Sequence, residues 1–368
     1  MTGAAARGGW PTLGAIARAA VETLDEAERD FILGGAETET TLKRNRRAFD
    51  RLALVPRILR PADGDPCRTR LFGIELPAPI LPAPMGTGRH FGPQATAPLV
   101  EGAHRFGGIA CVSTVAQPTP DRLRRDHDGP IFLQAYLLDG AAADPAAALA
   151  AQGASRFDGL IVTLDSPVYG RRDRDAERGV SPAPGVVAPG RALQPDLDWT
   201  ALARLRDAWP GPLVAKGVAQ AEDAARLLAL GVDAIWVSNH GGRQLDHGEA
   251  ALDSLRRVGP AVSGRAPVIV DGGVCRGTDV AKALALGADA VAVGKALALA
   301  ASVDAVHAML GLLRDELATT LALLGCGAVG ELGPGHLADA EPVGAPCVLE
   351  ALGATGRGRA DRAREPDA

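Results

Sequence analysis

Eight short apolar runs recur along the chain, each followed by a loop and then an Ala/Leu-rich amphipathic stretch. They are PILPA (79–83), GIACVS (108–113), IFLQAY (131–136), GLIVTLD (159–165), PLVAK (212–216), DAIWVS (233–238), PVIVD (267–271) and AVAVGK (290–295). Continuous runs of Val, Ile, Leu and Ala are strands buried on both faces, the mark of a parallel sheet. The stretches between them read as helices. AEDAARLLALG (221–231) and GTDVAKALALG (277–287) each place an Asp in the first turn, where the helix dipole favours an acid, and each ends on Gly, a common helix stop. Eight strand–helix units, mostly starting roughly 20 to 35 residues apart, predict an α/β fold of the (β/α)8 TIM-barrel type. Strand order cannot be read from one sequence, so the periodicity leaves a doubly wound sheet open beside the barrel.

A closed barrel can take up 368 residues as one domain. The patterning divides the chain into an N-terminal helical segment packing on the barrel (1–70), the barrel itself (71–336) and a flexible C-terminal tail (337–368). In the first part, DEAERDFILGG and ETTLKRNRRAFDRL read as helices. The tail is rich in Gly, Ala and Arg and has little to bury. The regular spacing breaks once, after the fourth strand, where about 45 residues intervene. VSPAPGVVAPGRALQPDLDW (180–199) is too rich in Pro and Gly for a regular element, so 171–198 reads as a long active-site loop.

Composition excludes several classes. The net charge is −5, and the basic stretches RLRRD (122–126) and GRGRADRARE (356–365) are short and mixed with acids, so no nucleic-acid partner is expected. The five cysteines, at 67, 111, 275, 326 and 347, lack CxxC spacing. No metal site and no disulfide framework is expected, and a reducing cytoplasm is. MTGAAARGGWPTLG does not read as a signal peptide, and the apolar region 286–301 is interrupted by Asp289 and Lys295. The expectation is a soluble protein without a membrane partner.

Strand C-termini of a parallel barrel converge on one mouth. Ala83, Pro84, Met85 and Gly86 follow the first strand, and Ser113 and Thr114 end the second. Gln134 and Tyr136 share a face of the third, as Thr163 and Asp165 do on the fourth. Lys216 closes the fifth, Ser238 to Arg243 the sixth, Asp271-Gly272-Gly273 the seventh and Gly294-Lys295 the eighth. Polar groups after nearly every apolar body point to a ligand site. In VSNHGGRQLD (237–246), two glycines let the backbone turn sharply and aim Arg243 at the mouth that His240 faces. A ring titrating near neutrality beside a fixed, bidentate-capable cation suits proton removal from a substrate carrying a carboxylate. Asp165 is either the partner that orients this ring or a helix N-cap. DGGVCRGTDV (271–280) and VGK (293–295) put glycines and cations where barrels bind phosphate. With Lys216 able to stabilise an anionic ring, they point to a phosphorylated cofactor. GTGRHFG (86–92) has the wrong spacing for a dinucleotide fingerprint, which disfavours NAD.

SNHGGRQLD, LVAKGV (213–218), FLQAY (132–136), TLDSPVYGRRDRD (163–175) and DGGVCRGTDVAKALALGA (271–288) carry a resemblance. In order and spacing the chain resembles the FMN-dependent 2-hydroxy-acid oxidases and dehydrogenases, from about residue 12 to 336. The resemblance implies a TIM barrel that binds FMN and oxidises a 2-hydroxy acid to the 2-oxo acid. It implies His240 as the base, Asp165 as its partner and Lys216 near flavin N1 and O2. Arg243 and Arg172 would hold the substrate carboxylate, and Tyr136 would hydrogen-bond the substrate. Ala83, Pro84, Met85, Ser113, Gln134, Thr163 and Ser238 would contact the flavin, and Asp271 the ribityl hydroxyls. Gly273, Cys275, Arg276, Gly294 and Lys295 would surround the phosphate. O2 or another electron acceptor and a homo-oligomer, a tetramer, are implied as well.

Four positions depart from the family pattern. Phe31 stands where a carboxylate-binding Tyr is usual, and losing a hydrogen bond to a charged group weakens binding by about 1.5–3 kcal/mol. Cys275 replaces the first Arg of a phosphate-binding pair. Lys295 keeps the charge of the usual Arg but loses its fork. Val115 replaces a large aromatic common near the substrate, and Gly86, too, is small at a flavin-facing position. Together these predict a roomier, more apolar pocket, for an aryl or long-chain 2-hydroxy acid or a secondary-metabolite intermediate. Two other readings are the same flavin barrel oxidising an amine or peptide-derived substrate, and a non-catalytic barrel binding a phosphorylated ligand.

Overall fold

The computed structural model describes residues 9–60, 64–86, 94–138, 143–178, 194, 196–300, 303–344 and 347–354. Eight strands form one parallel sheet: β1 (Ile80–Pro82), β2 (Ala110–Ser113), β3 (Ile131–Ala135), β4 (Gly159–Thr163), β5 (Leu213–Val218), β6 (Ala234–Val237), β7 (Val268–Val270) and β8 (Ala290–Val293). They are ordered β1-β8-β7-β6-β5-β4-β3-β2. From β2 to β8 each strand thus pairs with its neighbour in sequence, and β1 pairs with β8, which brings the sheet round into a nearly closed barrel whose two ends are β1 and β2. A doubly wound sheet would reverse its strand order at a switch point. No reversal occurs, and the barrel is the fold.

Side-chain alternation sorts each strand into an inner and an outer row. Leu81, Cys111, Phe132, Ile161, Val214, Trp236, Ile269 and Ala292 meet inside the barrel in one apolar cluster. Val112, Leu133, Val162, Ala215, Val237, Val270 and Val291 pack outward with the helices in the other. Two residues beyond each inner apolar position stand Ala83, Ser113, Gln134, Thr163, Lys216, Ser238, Asp271 and Gly294. The layer at the mouth, mostly polar, is therefore the same inward row carried one step higher. The opposite end is closed by a hairpin, Thr69–Leu71 with Ile74–Leu76, whose Phe72 ring lies 4.9 Å from that of Phe132.

Three helices precede the barrel: α1 (Leu13–Thr23), α2 (Glu26–Leu33) and α3 (Thr40–Asp50). The sequence pattern marked α2 and α3. Asp25 and Glu28 form a capping box that fixes the start of α2. The segment after 336, expected to be a flexible tail, is instead built into the fold as far as Ala354. Leu337–Asp339 pairs antiparallel with Leu52–Leu54. A short helix, Val348–Ala351, buries Val348 and Leu352. The turn after it is held from two sides, by Arg18 donating to the Gly353 carbonyl at 2.9 Å and Arg276 to the Leu352 carbonyl at 3.5 Å. These few apolar side chains suffice because a groove between distant elements receives them.

After β4 the chain continues to a short helix, Asp173–Glu177. The centre of the expected long loop, residues 87–92 of GTGRHFG and the chain beyond 354 lie outside the described residues. Gln194 anchors the far end of that loop, donating to the carbonyls of Thr163 and Ser166 and accepting from the Leu137 amide. Among the described residues no helix is long and apolar enough to cross a membrane.

Candidate active site

The turn after β6 is conformationally costly. His240, Gly241 and Gly242 have φ of +58°, +64° and +73°, three successive residues in the left-handed region. A Cβ on Gly242 would lie 2.6 Å from the Leu42 amide nitrogen, so only glycine fits there. His240 has no such exemption, and a non-glycine residue in this region persists only when its surroundings enforce it. The enforcement comes from α3. Asn45 and Asn239 exchange side-chain hydrogen bonds at 2.8 Å in both directions. The Asp246 carboxylate accepts from the Thr41 amide and the Thr38 hydroxyl, both at 2.7 Å. An N-terminal helix thus clamps both ends of the turn that presents the imidazole.

His240 Nδ1 lies 3.2 Å from Asp165 Oδ1, and the Ser166 hydroxyl donates to the same oxygen. Asp165 can approach because Gly217 on β5 lacks a Cβ, which would stand 2.6 Å from that of Asp165. Burial pushes the imidazole below its usual value while Asp165 pulls the other way. Burial also opposes the carboxylate charge, but His240 and Lys216 hold Asp165 below the usual carboxylate range. The pair is therefore a neutral ring, its proton on Nδ1, against an ionised acid. This leaves the Nε2 lone pair available as a base.

Across one cavity of about 560 Å³, His240 shares the walls with Arg172, Arg243, Tyr136, Lys216 and Lys295. Arg172 and Arg243 come from different loops, tied together by Gln244. Its side chain donates to the Val168 and Asp165 carbonyls and accepts from the Gly170 amide. Arg171 points outward to Asp173, so only the second of the two adjacent arginines serves the cavity. Arg243 donates to the carbonyls of Phe31 and Gly34 at the end of α2, with its guanidinium carbon 4.8 Å from the Phe31 ring centroid. Burial and the like charge of Arg172 push Arg243 down to about 9. The Nε of Arg172 is buried without a hydrogen-bond partner. Two desolvated cations with spare donors at one end of a cavity are a site built for an anion.

The polar layer at the mouth is internally bonded. Lys216 Nζ donates to Ser238 Oγ at 2.9 Å and stands 3.2 Å from Asp271 Oδ2. Asp271 also accepts from Ser238 Oγ and Trp236 Nε1. Gln134 donates to Thr163 Oγ1 at 2.9 Å. Ala83, Pro84, Met85, Gly86, Ser113, Gln134, Asp271, Gly273, Cys275 and Gly294 all line the cavity. Thr163, Ser238 and Asp165 stand one contact behind the lining.

At the glycine-rich end two residues expected around the phosphate are engaged by protein partners. Arg276, read as a phosphate ligand, turns away to Glu316 at 2.6 Å and the Leu352 carbonyl, because a carboxylate on the helix Val303–Leu324 captures it. Lys295 lines the cavity but directs Nζ to the Ile32 and Gly34 carbonyls, at 3.2 and 2.6 Å, beside Arg243. Cys275 is buried, and burial pushes its thiol up to about 12, so it is a neutral space-filler. Sequence reasoning missed Ser166, Tyr169, Gln244 and Asn45. Tyr169 and Gln244 were legible only as parts of motifs, and the partners that give them meaning come from other loops. It also missed Cys347, Val348 and Leu349, which line the cavity from the segment taken for a tail.

Comparison with known proteins agrees with this geometry. A family model described as FMN-dependent dehydrogenase matches residues 20–339. A peroxisomal (S)-2-hydroxyacid oxidase of Arabidopsis thaliana is 34% identical over 340 residues, covering 86% of this chain and 93% of the relative. An L-lactate oxidase of Roseobacter sp. (strain GAI101) is 37% identical over 330 residues, covering 83% and 88%. Among solved structures, mandelate oxidase with 3,3-difluoro-2-hydroxy-3-phenylpropionic acid superposes with a TM-score of 0.82 at 31% identity, covering 91% of this chain and all of the other. A soluble mutant of the membrane-associated (S)-mandelate dehydrogenase from Pseudomonas putida gives 0.81 at 30% identity, covering 89% and 99%.

Proposed function

Because the chain belongs to the FMN-dependent dehydrogenase family, we propose that it oxidises a 2-hydroxy acid bulkier than lactate, an aryl or long-chain acid, to the 2-oxo acid. The observation that carries the reading is that the His240–Asp165 pair faces the same cavity as Arg172 and Arg243. A base and an anion clamp on one wall match a substrate whose acidic proton is close to a carboxylate. Paired cations argue against an amine substrate, and a binder without turnover has no use for a base oriented by a buried acid.

The residues present fit FMN. The cavity is of ligand size. Its walls combine the buried polar groups of Gln134, Lys216 and Asp271 with the glycines 272, 273 and 294, where no side chain limits the approach of a phosphate. Bound there, FMN supplies the two-electron acceptor. Gln134, Lys216 and Asp271 would hold its polar edge and hydroxyls, and Gly273, Gly294 and Lys295 its phosphate. Cys275 contributes no charge, so this end holds the phosphate less firmly than an Arg fork would.

Arg172 and Arg243 bind and orient the carboxylate, and Tyr136 donates to the substrate. His240 Nε2 takes the substrate proton as the two electrons leave, and Asp165 stabilises the resulting imidazolium. Lys216 would set its ammonium group beside the polar edge of the bound flavin. The wall at the substrate end is built by Phe31, Val115, Leu138 and Tyr169, which supports a bulky apolar substituent. The five free cysteines support a reducing compartment, and exposed Ile58 and Leu59 support self-association. O2 or another acceptor completes the cycle.

The test is anaerobic reduction of the flavin by a panel of 2-hydroxy acids, followed by mass spectrometry of the product. Bleaching faster with mandelate-type or long-chain acids than with glycolate or lactate is the expected result. The reverse order overturns the substrate class, and no bleaching by any acid overturns the reaction.

A further inference from the structure

We propose that Tyr169 is a third element of the anion clamp: its hydroxyl donates to the substrate carboxylate while its ring and oxygen position Arg172. The inference rests on the 2-hydroxy-acid reading above and gives Tyr169, there only part of the wall, a role in binding the carboxylate. Arg172 Nη1 donates to Tyr169 Oη at 2.5 Å, and the guanidinium carbon lies 4.4 Å from the Tyr169 ring centroid. Arg172 is thus held twice by one side chain, by the ring face and by the phenol oxygen. An oxygen that accepts from a cation keeps its own O–H free to donate elsewhere. Tyr169 lines the same cavity as the guanidinium it holds, so that proton is available to an anion bound beside Arg172.

The second guanidinium makes the need specific. Phe31 stacks on Arg243 much as Tyr169 does on Arg172, at 4.8 Å against 4.4 Å, yet Phe31 offers no hydroxyl. The clamp is thereby two aromatic–guanidinium pairs, of which only the Tyr169 side brings a phenol donor. Gln244 fixes the backbone of residues 165–170, which carries Tyr169, to the turn that carries His240 and Arg243. The donor therefore keeps its place relative to the base.

Tyr169→Phe in the holoenzyme removes the hydroxyl and keeps the ring. The affinity of oxalate, read from the absorption change of the oxidised flavin, should fall by about 10- to 100-fold, the equivalent of one hydrogen bond to a charged group. KM for the best 2-hydroxy acid should rise in parallel, with kcat changed by less than about threefold, the pattern of lost ground-state binding. Adding Phe31→Tyr to Tyr169→Phe returns a phenol beside Arg243 and should recover part of the oxalate affinity, which a merely structural defect would not. Wild-type oxalate affinity in Tyr169→Phe overturns the proposal and leaves the proposed reaction standing. Failure of the wild type to be reduced by any 2-hydroxy acid overturns both.

Discussion

Asp165 presents one carboxylate oxygen to His240 at 3.2 Å, while its other oxygen is buried without a partner. Among the described residues the carboxylate's hydrogen-bond partners are the ring and the hydroxyl of its neighbour Ser166. Asp165→Asn should lower the rate of flavin reduction by about a hundredfold to ten-thousandfold, with little change in fold. Stopped-flow absorbance under anaerobic conditions measures this directly.

The same pair sets the pH dependence. Burial lowers the His240 value, so the basic form persists below the ordinary imidazole range and is lost only as pH falls through the lowered value. The acid limb of kcat/KM should therefore lie below about 6.5. In Asp165→Asn the upward pull of the carboxylate is removed, and the limb of the residual activity should move further toward acid.

Val115 and Gly86 occupy each other's space. A Cβ on Gly86 would stand 2.6 Å from Val115 Cγ2, so the small residue at 86 is filled by its neighbour and opens no room by itself. Gly86→Ala should destabilise by about 1–3 kcal/mol if the valine cannot turn aside, and Val115→Ala in the same chain should restore the loss. Val115→Ala alone should raise kcat/KM for a bulky acid relative to lactate. Denaturant titration and a two-substrate comparison read the two effects.

Arg46 and Asp279 form a buried fork, with both guanidinium nitrogens at 2.7 Å from the carboxylate and side-chain exposures of 6% and 2%. This pair joins α3 to the helix Gly277–Ala285, and Asp279 also accepts from the Cys275 and Arg276 amides. Asp279→Ala leaves a buried cation with only the longer ion-pair contact to Asp50, at 3.4 Å, and should cost about 3 kcal/mol in urea unfolding. Arg46 and Asp279 replaced together by Met and Leu should lose less.

Asp246 is held below the usual carboxylate range: burial opposes its charge, but the Thr41 amide and Thr38 hydroxyl outweigh it. A carboxylate depressed on folding contributes stability in full above its unfolded value, near 3.9, and loses it as pH falls toward the folded one. Acid unfolding below about pH 4 should be shallower in Asp246→Asn, with neutral-pH stability also reduced. Circular dichroism followed against pH distinguishes this from a uniform loss.

The strand ends show how much was legible in advance. Apolar runs mark all eight strands within two residues of their observed bounds, and alternation carries Gln134, Thr163, Lys216 and Asp271 inward in phase with Phe132, Ile161, Val214 and Ile269. That phase is a property of neighbouring residues in one strand. Arg276 and Lys295 take partners that their own turns do not reveal, because a long side chain on a turn goes to its best partner. Here those partners are Glu316, 40 residues away, and the Gly34 carbonyl, 261 residues away. The tail was misjudged for a related reason, since Val348 and Leu352 are buried in a segment held by residues far away in sequence, Arg18 and Arg276.

Period-two alternation and the positions of the strand ends, both local, determined the inward polar layer and placed His240, Asp165 and the cations at one mouth. Closure of the barrel, the clamp of α3 on the His240 turn, and the meeting of Tyr169 with Arg172 were decided by the tertiary structure. Each of these depends on which surfaces meet once the apolar faces are buried, and a turn's own sequence does not encode its partner.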